Sequence, residues 1–394
     1  MIAYDEALAR MLAAVVPLPG ETVKIEQAQG RYLAEPVRAA IDAPRHDVST
    51  MDGYAVRHAD AAAGGWQAIV GEAAPGAPFA GSVGRGEAVR IFTGAHVPSG
   101  ADWVVIQEDA EREGDRVRFG QELGPDRYIR QQGSDFREGD TILAAGAPLV
   151  PTALVALAGA DRAKVSVARR PRVAMIATGD ELVAPGSAAA TPYAIPDSGS
   201  VGVAAMVAQG GGALAGKARG RDRLEELAAL AEAALAGSDL VVVLGGASVG
   251  DRDFAKPMFG DLGLELHFSK VAIRPGKPVW FGKVGETCVL GLPGNPGSAM
   301  VTARLFLAPL LAALQGGAGK DCVATFPQRL AADLPPSGMR ETFTRARLGQ
   351  DGLSPVSNQD SGAQSPLAAS DWLIRRAPDD GARRAGEWVR AMPF

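Results

Sequence analysis

Residues 238–254 read SDLVVVLGGASVGDRDF, and the reading of this stretch decides the fold. Val241, Val242, Val243 and Leu244 form a short apolar run dominated by β-branched side chains, the pattern of a strand buried on both faces of a parallel sheet. Gly245, Gly246 and Gly250 then let the backbone turn tightly and approach a ligand, with Ser248 placed to donate a hydrogen bond. Ligands of open α/β sheets lie beyond the carboxyl ends of the strands, so Ser248, Asp251 and Asp253 are expected to face a site. A tight turn with solvated acids is the plainer alternative. Asp251 and Arg252 stand where a Walker A loop needs Lys and Ser/Thr, and the glycines do not follow G-x-G-x-x-G. A nucleoside triphosphatase or dinucleotide enzyme is therefore disfavoured.

Outward from this strand, helix and strand patterns alternate. RVAMIAT (172–178) is a strand followed by Gly179, Asp180 and Glu181. A helix is expected from about Ser198 to Gln209, then a strand in GALAGKAR (212–219). Leu224, Leu227, Ala228, Ala231 and Leu235 form one apolar helix face, with Asp222 and Glu225 read as a capping box. PVWFG (278–282) and TCVLGL (287–292) are further strands, the second running into Pro293, Gly294, Asn295, Pro296, Gly297 and Ser298 and a long apolar helix to about Leu314. The start of that helix is expected to offer free amides to an anion. The alternation is that of a doubly wound α/β domain. Lys270, Arg274 and Lys277, in KVAIRPGKP, bring three cations to a proline-stiffened loop, suited to an anionic pocket or simply a charged loop.

The flanks read differently. Tyr4, Leu8, Met11, Leu12 and Val15 fall at helical spacing, and an apolar helix near Leu149–Ala160 is expected to pack against that opening helix. From Glu21 to about Arg130 the runs are short and alternating, an all-β pattern that holds DVSTMDGYAV (47–56) and FTGAHVP (92–98). Asp52 and Thr93 sit in turns there. The tail from Lys320 returns to short β runs.

Composition narrows the function classes. The 394 residues suit two to four domains; with 47% hydrophobic and 22% charged residues and no apolar run judged long enough to span a bilayer, no membrane association is expected. MIAYDEALAR shows no basic n-region, so no secretory signal is read, and Cys288 and Cys322 form no CxxC, which fits a cytoplasmic location. His46, His58, His96 and His267 lack metal-ligand spacing. A net charge of −5 argues against nucleic acid. Strand ends at Thr178, Leu244 and Leu292 deliver Asp180, Glu181, Asp197, Asp251 and Asp253 as Mg²⁺-type oxygen ligands, with Lys270, Arg274 and Lys277 as counter-charge. Physics alone predicts a phosphate-bearing substrate handled with Mg²⁺.

Six co-linear motifs then carry a resemblance: MDGYA (51–55), FTGA (92–95), TGDEL (178–182), GGASVGDRDF (245–254), IRPGKP (273–278) and GLPGNPGS (291–298). Together they resemble the molybdopterin molybdenumtransferases, the MoeA and gephyrin E-domain family. The resemblance implies an elongated homodimer of multidomain α/β subunits with additional β-rich domains. These would be a linker/helical domain (1–20, 42–55 and 131–170), an inserted β-rich domain (21–41 and 56–130), a central doubly wound α/β pterin-binding domain (171–317) and a β-rich C-terminal domain (318–394). It implies insertion of molybdate into adenylylated molybdopterin with release of AMP, Mg²⁺ as cofactor, and a cleft shared between subunits. Adenylylated molybdopterin and molybdate are the expected ligands, with a molybdopterin adenylyltransferase and apo-molybdoenzymes as further expected partners.

Carried over by motif, Asp52, Asp253, Lys270, Arg274 and Lys277 are the expected catalytic group. Thr93, Thr178, Gly245, Gly246, Ser248, Gly250, Pro293, Gly294, Asn295 and Pro296 are expected to bind the pterin substrate, and Asp180, Glu181, Asp197 and Asp253 to hold the metal. Asp135 matches an acid of the family's loop. Gly199 departs from the family's usual Asn, Gln131 and Gln132 replace Arg, and NQDSGAQSPLAASDWLI (358–374) keeps Ser361 and Ser365 but lacks the customary His. Two other readings compete. A molybdopterin adenylyltransferase shares the α/β domain type but lacks the flanking domains, and a non-catalytic pterin-binding scaffold or carrier would bind without turnover.

Overall fold

In the computed structural model, which describes residues 1–120, 122–246 and 254–394, Leu240–Leu244 lies inside a six-stranded sheet. Its spatial order is Ala213–Gly220, Arg172–Thr178, Leu240–Leu244, Thr287–Leu292, Trp280–Val284 and Glu265–Phe268. The first four pair in parallel, and the last two are added by antiparallel pairing.

Both faces of this sheet are covered, which is why its central strands are apolar without alternation. Val173, Met175, Val242 and Leu244 pack with Val203 and Val207 of the helix Ser198–Gln209. Ala174, Ile176, Val241 and Val243 point the other way, onto Leu227 and Ala231 of the helix Leu224–Leu235. The expected capping box at the start of that second helix does not form: Arg223 takes the N-cap position and no side chain caps it.

The helix from Pro296 continues to Leu314 through a wider π turn at Ala303–Leu307, just ahead of Pro309, whose missing N–H cannot sustain the regular ladder. This corrects one expectation. Pro296–Leu314 is a 19-residue stretch of mean hydropathy 1.6, long and apolar enough by composition to cross a bilayer, but 78% of it is buried inside the protein, as suits a core helix.

The opening helix Tyr4–Ala13 buries Tyr4, Ala7, Leu8 and Met11, the i, i+3, i+4, i+7 face. That face does not meet the Pro151–Gly159 helix, as expected from sequence, but the α/β unit. The Tyr4 ring stands edge-on to Phe306 (5.5 Å) and to Phe343 (5.2 Å), so the first helix ties the C-terminal sheet to the central core. Pro151–Gly159 packs instead over Ile25, Leu33, Val165 and Val167.

Residues 21–41 also change place. Gly20–Lys24 pairs antiparallel with Lys164–Ala168, and Val37–Arg38 with Thr141–Leu143, so this segment joins residues 140–168 around Leu33, Leu149 and Leu157 rather than the inserted β unit. Gly53–Val56, of which residues 53–55 are grouped by sequence with the linker, is an interior strand of the inserted sheet between Trp103–Ile106 and Glu87–Ile91. The sequence misplaces both because each pairs only with distant segments. The remaining β unit runs through Phe326–Arg329, Glu341–Gly349, Gly352–Pro355, Trp372–Arg376 and Trp388–Pro393, around Leu330, Leu353, Ile374 and Ala391.

Candidate functional site

The carboxyl ends of Arg172–Thr178, Leu240–Leu244 and Thr287–Leu292 are neighbours by register: Thr178 lies beyond the Ala177–Leu244 pair, and Leu244 pairs with Leu292. Glycine forms the floor between them. Gly245 sits at φ +91°, and a Cβ there would fall 2.6 Å from the Thr178 carbonyl oxygen; Gly294 lies against the Gly245 backbone. The Thr178 hydroxyl is buried and has no hydrogen-bond partner among the described residues. A buried hydroxyl without a partner is costly, so a polar ligand atom that reached this one would be stabilised by it.

The cationic loop reaches the same edge. Trp280–Val284 runs antiparallel to both Thr287–Leu292 and Glu265–Phe268, so the loop between Phe268 and Trp280, which carries Lys270, Arg274 and Lys277, lies at the end of the sheet where the Leu292 strand stops. The Val271 N–H donates to the Lys277 carbonyl at 3.0 Å, folding the loop so that both its ends come together. Gly276 packs against the Thr302 methyl group, which seats the loop on the core helix. Lys270, Arg274 and Lys277 are exposed, and none makes an ion pair or side-chain hydrogen bond among the described residues. Three cations without a described partner at this end of the sheet offer counter-charge to an anionic ligand.

The start of the Pro296 helix is less open than its sequence suggests. Gly297 N donates to the Ser361 carbonyl at 2.8 Å, and Asn295 Nδ2 to the Ser361 hydroxyl at 3.0 Å, so the C-terminal domain closes this end. The Ser361 loop is itself held by the fully buried Arg345, whose guanidinium donates to the carbonyls of Asn358, Asp360 and Ala363. Sequence reading missed this arginine, because its partners are main-chain carbonyls of a loop 13 to 18 residues further along the chain.

The acids do not gather into a cage. Asp180 Oδ1 accepts from Asp222 N at 3.1 Å, Glu181 is exposed, and the buried Asp197 caps its helix by accepting from Ser200 N at 3.1 Å. Among the described residues no group of three or more His, Cys, Asp or Glu side chains is placed to hold a metal ion. Asp180, Glu181 and Asp197 therefore do not fit Mg²⁺ by themselves. Asp253, and with it Ser248, Gly250 and Asp251, lies outside the described residues. At Gly199 an added Cβ would meet Leu244 at 3.5 Å, an ordinary van der Waals contact, and nothing closer among the described residues.

Asp52 and Thr93 lie elsewhere, at one end of the inserted sheet. Asp52 Oδ1 accepts from both the backbone N and the hydroxyl of Thr93, each at 2.8 Å. These two hydrogen bonds hold the Asp52 carboxyl below the usual carboxylate range, with burial acting against them and Arg90 adding to them. Oδ2 has no hydrogen-bond partner among the described residues. No hydrogen bond or ion pair joins the described residues of 47–130 to those of 171–317 within the chain. A cavity of about 390 Å³, lined by Tyr32, Met206, Arg304, Cys322 and Phe394 among others, includes none of the expected site residues.

Comparison with known proteins agrees along the whole chain. Residues 2–160 match the MoeA N-terminal region (domain I and II), residues 174–313 a "Probable molybdopterin binding domain", and residues 327–394 the MoeA C-terminal region (domain IV). A molybdopterin molybdenumtransferase of Haemophilus influenzae is 34% identical over 402 residues, covering 100% of this chain and 99% of its own. One from a Nostoc species is 36% identical, covering 82% of this chain and 76% of its own. The crystal structure of the molybdopterin biosynthesis moeA protein from Pyrococcus horikoshii superposes with a TM-score of 0.86 at 25% identity, covering all of both chains.

Proposed function

This chain belongs to the MoeA family of molybdopterin molybdenumtransferases, enzymes of molybdenum cofactor biosynthesis, and on that premise we propose that it acts on adenylylated molybdopterin and molybdate, releasing AMP. The observation that carries this reading is the meeting, at one end of the sheet, of three cations without a described partner and the glycine-floored strand ends. Both substrates are polyanions, and so is the departing AMP. Lys270, Arg274 and Lys277 offset that charge as it shifts from the phosphoanhydride to the leaving group. Gly245 and Gly294 let the substrate approach the backbone, and the Thr178 hydroxyl offers a buried hydrogen bond. The two dithiolene thiols displace one oxygen of molybdate, which leaves as water with their protons, and a water oxygen attacks the phosphoanhydride with AMP as the leaving group, so the protein need supply no nucleophile.

Asp52 enters this site from a second copy of the chain. The Asp52–Thr93 turn presents a free carboxylate oxygen yet makes no polar contact with the pterin-binding domain of its own chain, which supports a homodimer with two shared clefts. Mixing an Asp52→Asn protein with a Lys270/Arg274/Lys277 triple-neutral protein tests this. After random exchange each mixed dimer holds one intact cleft, and roughly a quarter of the wild-type rate returns. Two impaired proteins whose mixture gains no activity, though they exchange subunits, would place Asp52 outside the cleft. A cytoplasmic location accompanies this reading, as does delivery of the product to apo-molybdoenzymes.

A further inference from the structure

Arg90 lies on the strand Glu87–Ile91, three residues before Thr93, and its side chain is gripped on four sides. Nη1 donates to the Gly53 carbonyl at 2.9 Å and Nη2 to Gln107 Oε1 at 2.8 Å. The guanidinium carbon stands 5.2 Å from the centre of the Tyr54 ring and 4.8 Å from that of Phe92. Such a stacked, forked arrangement uses the planar donor set that Lys lacks.

All of these partners border Asp52. Gly53 follows it in the chain, Gln107 N donates to the Asp52 carbonyl at 3.0 Å, and Phe92 adjoins Thr93, which holds the carboxylate. The ends of three strands, Gly53–Val56, Glu87–Ile91 and Trp103–Ile106, thus converge on one guanidinium. A sheet needs no such device for stability at this point, since Gly53–Val56 is already hydrogen-bonded on both edges.

We propose that Arg90 is a positioning residue for Asp52: its fork fixes Gly53, which follows the aspartate, and Gln107, whose amide holds the aspartate's carbonyl, so that the carboxylate is held by Thr93 with one oxygen free toward the substrate. This rests on the reading of Asp52 as a cleft residue. Arg90 does not touch the substrate. It limits the freedom of the group that does, and a displacement of about 1 Å in such a group can lower a rate by about a hundredfold.

The test uses the full-length chain with Arg90→Lys, Arg90→Gln, Asp52→Asn and the Arg90→Gln/Asp52→Asn double variant. Molybdate-dependent AMP release gives kcat, KM and the pH–rate profile, and ¹³C-carboxyl NMR follows the titration of Asp52. Both Arg90 variants are expected to lose about tenfold or more in kcat with KM for the pterin little changed, because neither retains the fork. The Asp52 carboxyl titrates at higher pH in Arg90→Gln, and Arg90→Gln adds nothing to Asp52→Asn. Should Arg90→Gln lower only the unfolding midpoint, or its effect multiply with that of Asp52→Asn, the positioning role is wrong while Asp52 keeps its place. An Asp52→Asn protein of full activity would instead overturn the cleft reading, and the role of Arg90 with it.

Discussion

Asp52 Oδ1 accepts two hydrogen bonds from the single residue Thr93, one from its amide and one from its hydroxyl, and this pairing joins two motifs 41 positions apart into one structural unit. Each motif alone reads as an ordinary turn. Paired, they present one fixed carboxylate.

Thr93→Val removes the hydroxyl and keeps the amide. A drop in AMP release of about three- to tenfold is expected, the modest scale reflecting an exposed carboxylate that keeps its second donor. The acid limb should move too. A carboxyl held below its ordinary range keeps its charged contacts above that range and loses them only as pH falls through the depressed value, so the wild-type turn persists into mildly acidic solution. Thr93→Val brings its loss closer to neutral pH, which a pH–rate profile measures.

Neutralising Lys270, Arg274 or Lys277 separates function from fold. Each is exposed and unpaired among the described residues, so Arg274→Gln should alter unfolding free energy by less than about 0.5 kcal/mol. The KM for the anionic pterin should rise about tenfold, and the salt dependence of binding should weaken. Isothermal titration at two ionic strengths checks both.

Thr178→Val probes the unpartnered hydroxyl. Removing a buried group that has no protein partner leaves stability unchanged or slightly raised, whereas a ligand that uses it binds more weakly. Gly245→Ala is expected to act on the fold instead, by about 1–3 kcal/mol, because its backbone lies at φ +91° and its Cβ would collide with the Thr178 carbonyl. Thermal unfolding of both variants, with and without ligand, distinguishes the two effects.

Tyr4→Ala should cost about 3–5 kcal/mol, as expected for emptying a fully buried aromatic site. Because Tyr4 lies between Phe306 and Phe343, the loss should appear in denaturant unfolding as weakened coupling between the C-terminal and central domains.

The central sheet was legible from sequence because its signals are local: β-branched runs, glycine at strand ends, and helices with one apolar face. The helix Ser198–Gln209 has the limits its sequence suggests. What sequence missed depends on distant partners. Val37 and Arg38 form a two-residue strand whose mate is more than 100 positions away, and nothing local marks the pair. The Tyr4 face announces a helix but not whose core it fills. The amide of Gly297 looks free until the Ser361 loop is folded onto it. Asp222 and Glu225 have the spacing of a capping box, but Asp222 N is drawn to Asp180 instead.

Release of AMP from adenylylated molybdopterin, followed with and without molybdate alongside reconstitution of a cofactor-free molybdoenzyme, tests the central claim most directly. Molybdate-dependent AMP release, reconstitution of the acceptor enzyme, and loss of both in a Lys270/Arg274/Lys277 triple-neutral variant that still folds are the predicted results. Tight pterin binding with no AMP release at any molybdate concentration would contradict the account and leave the chain a carrier.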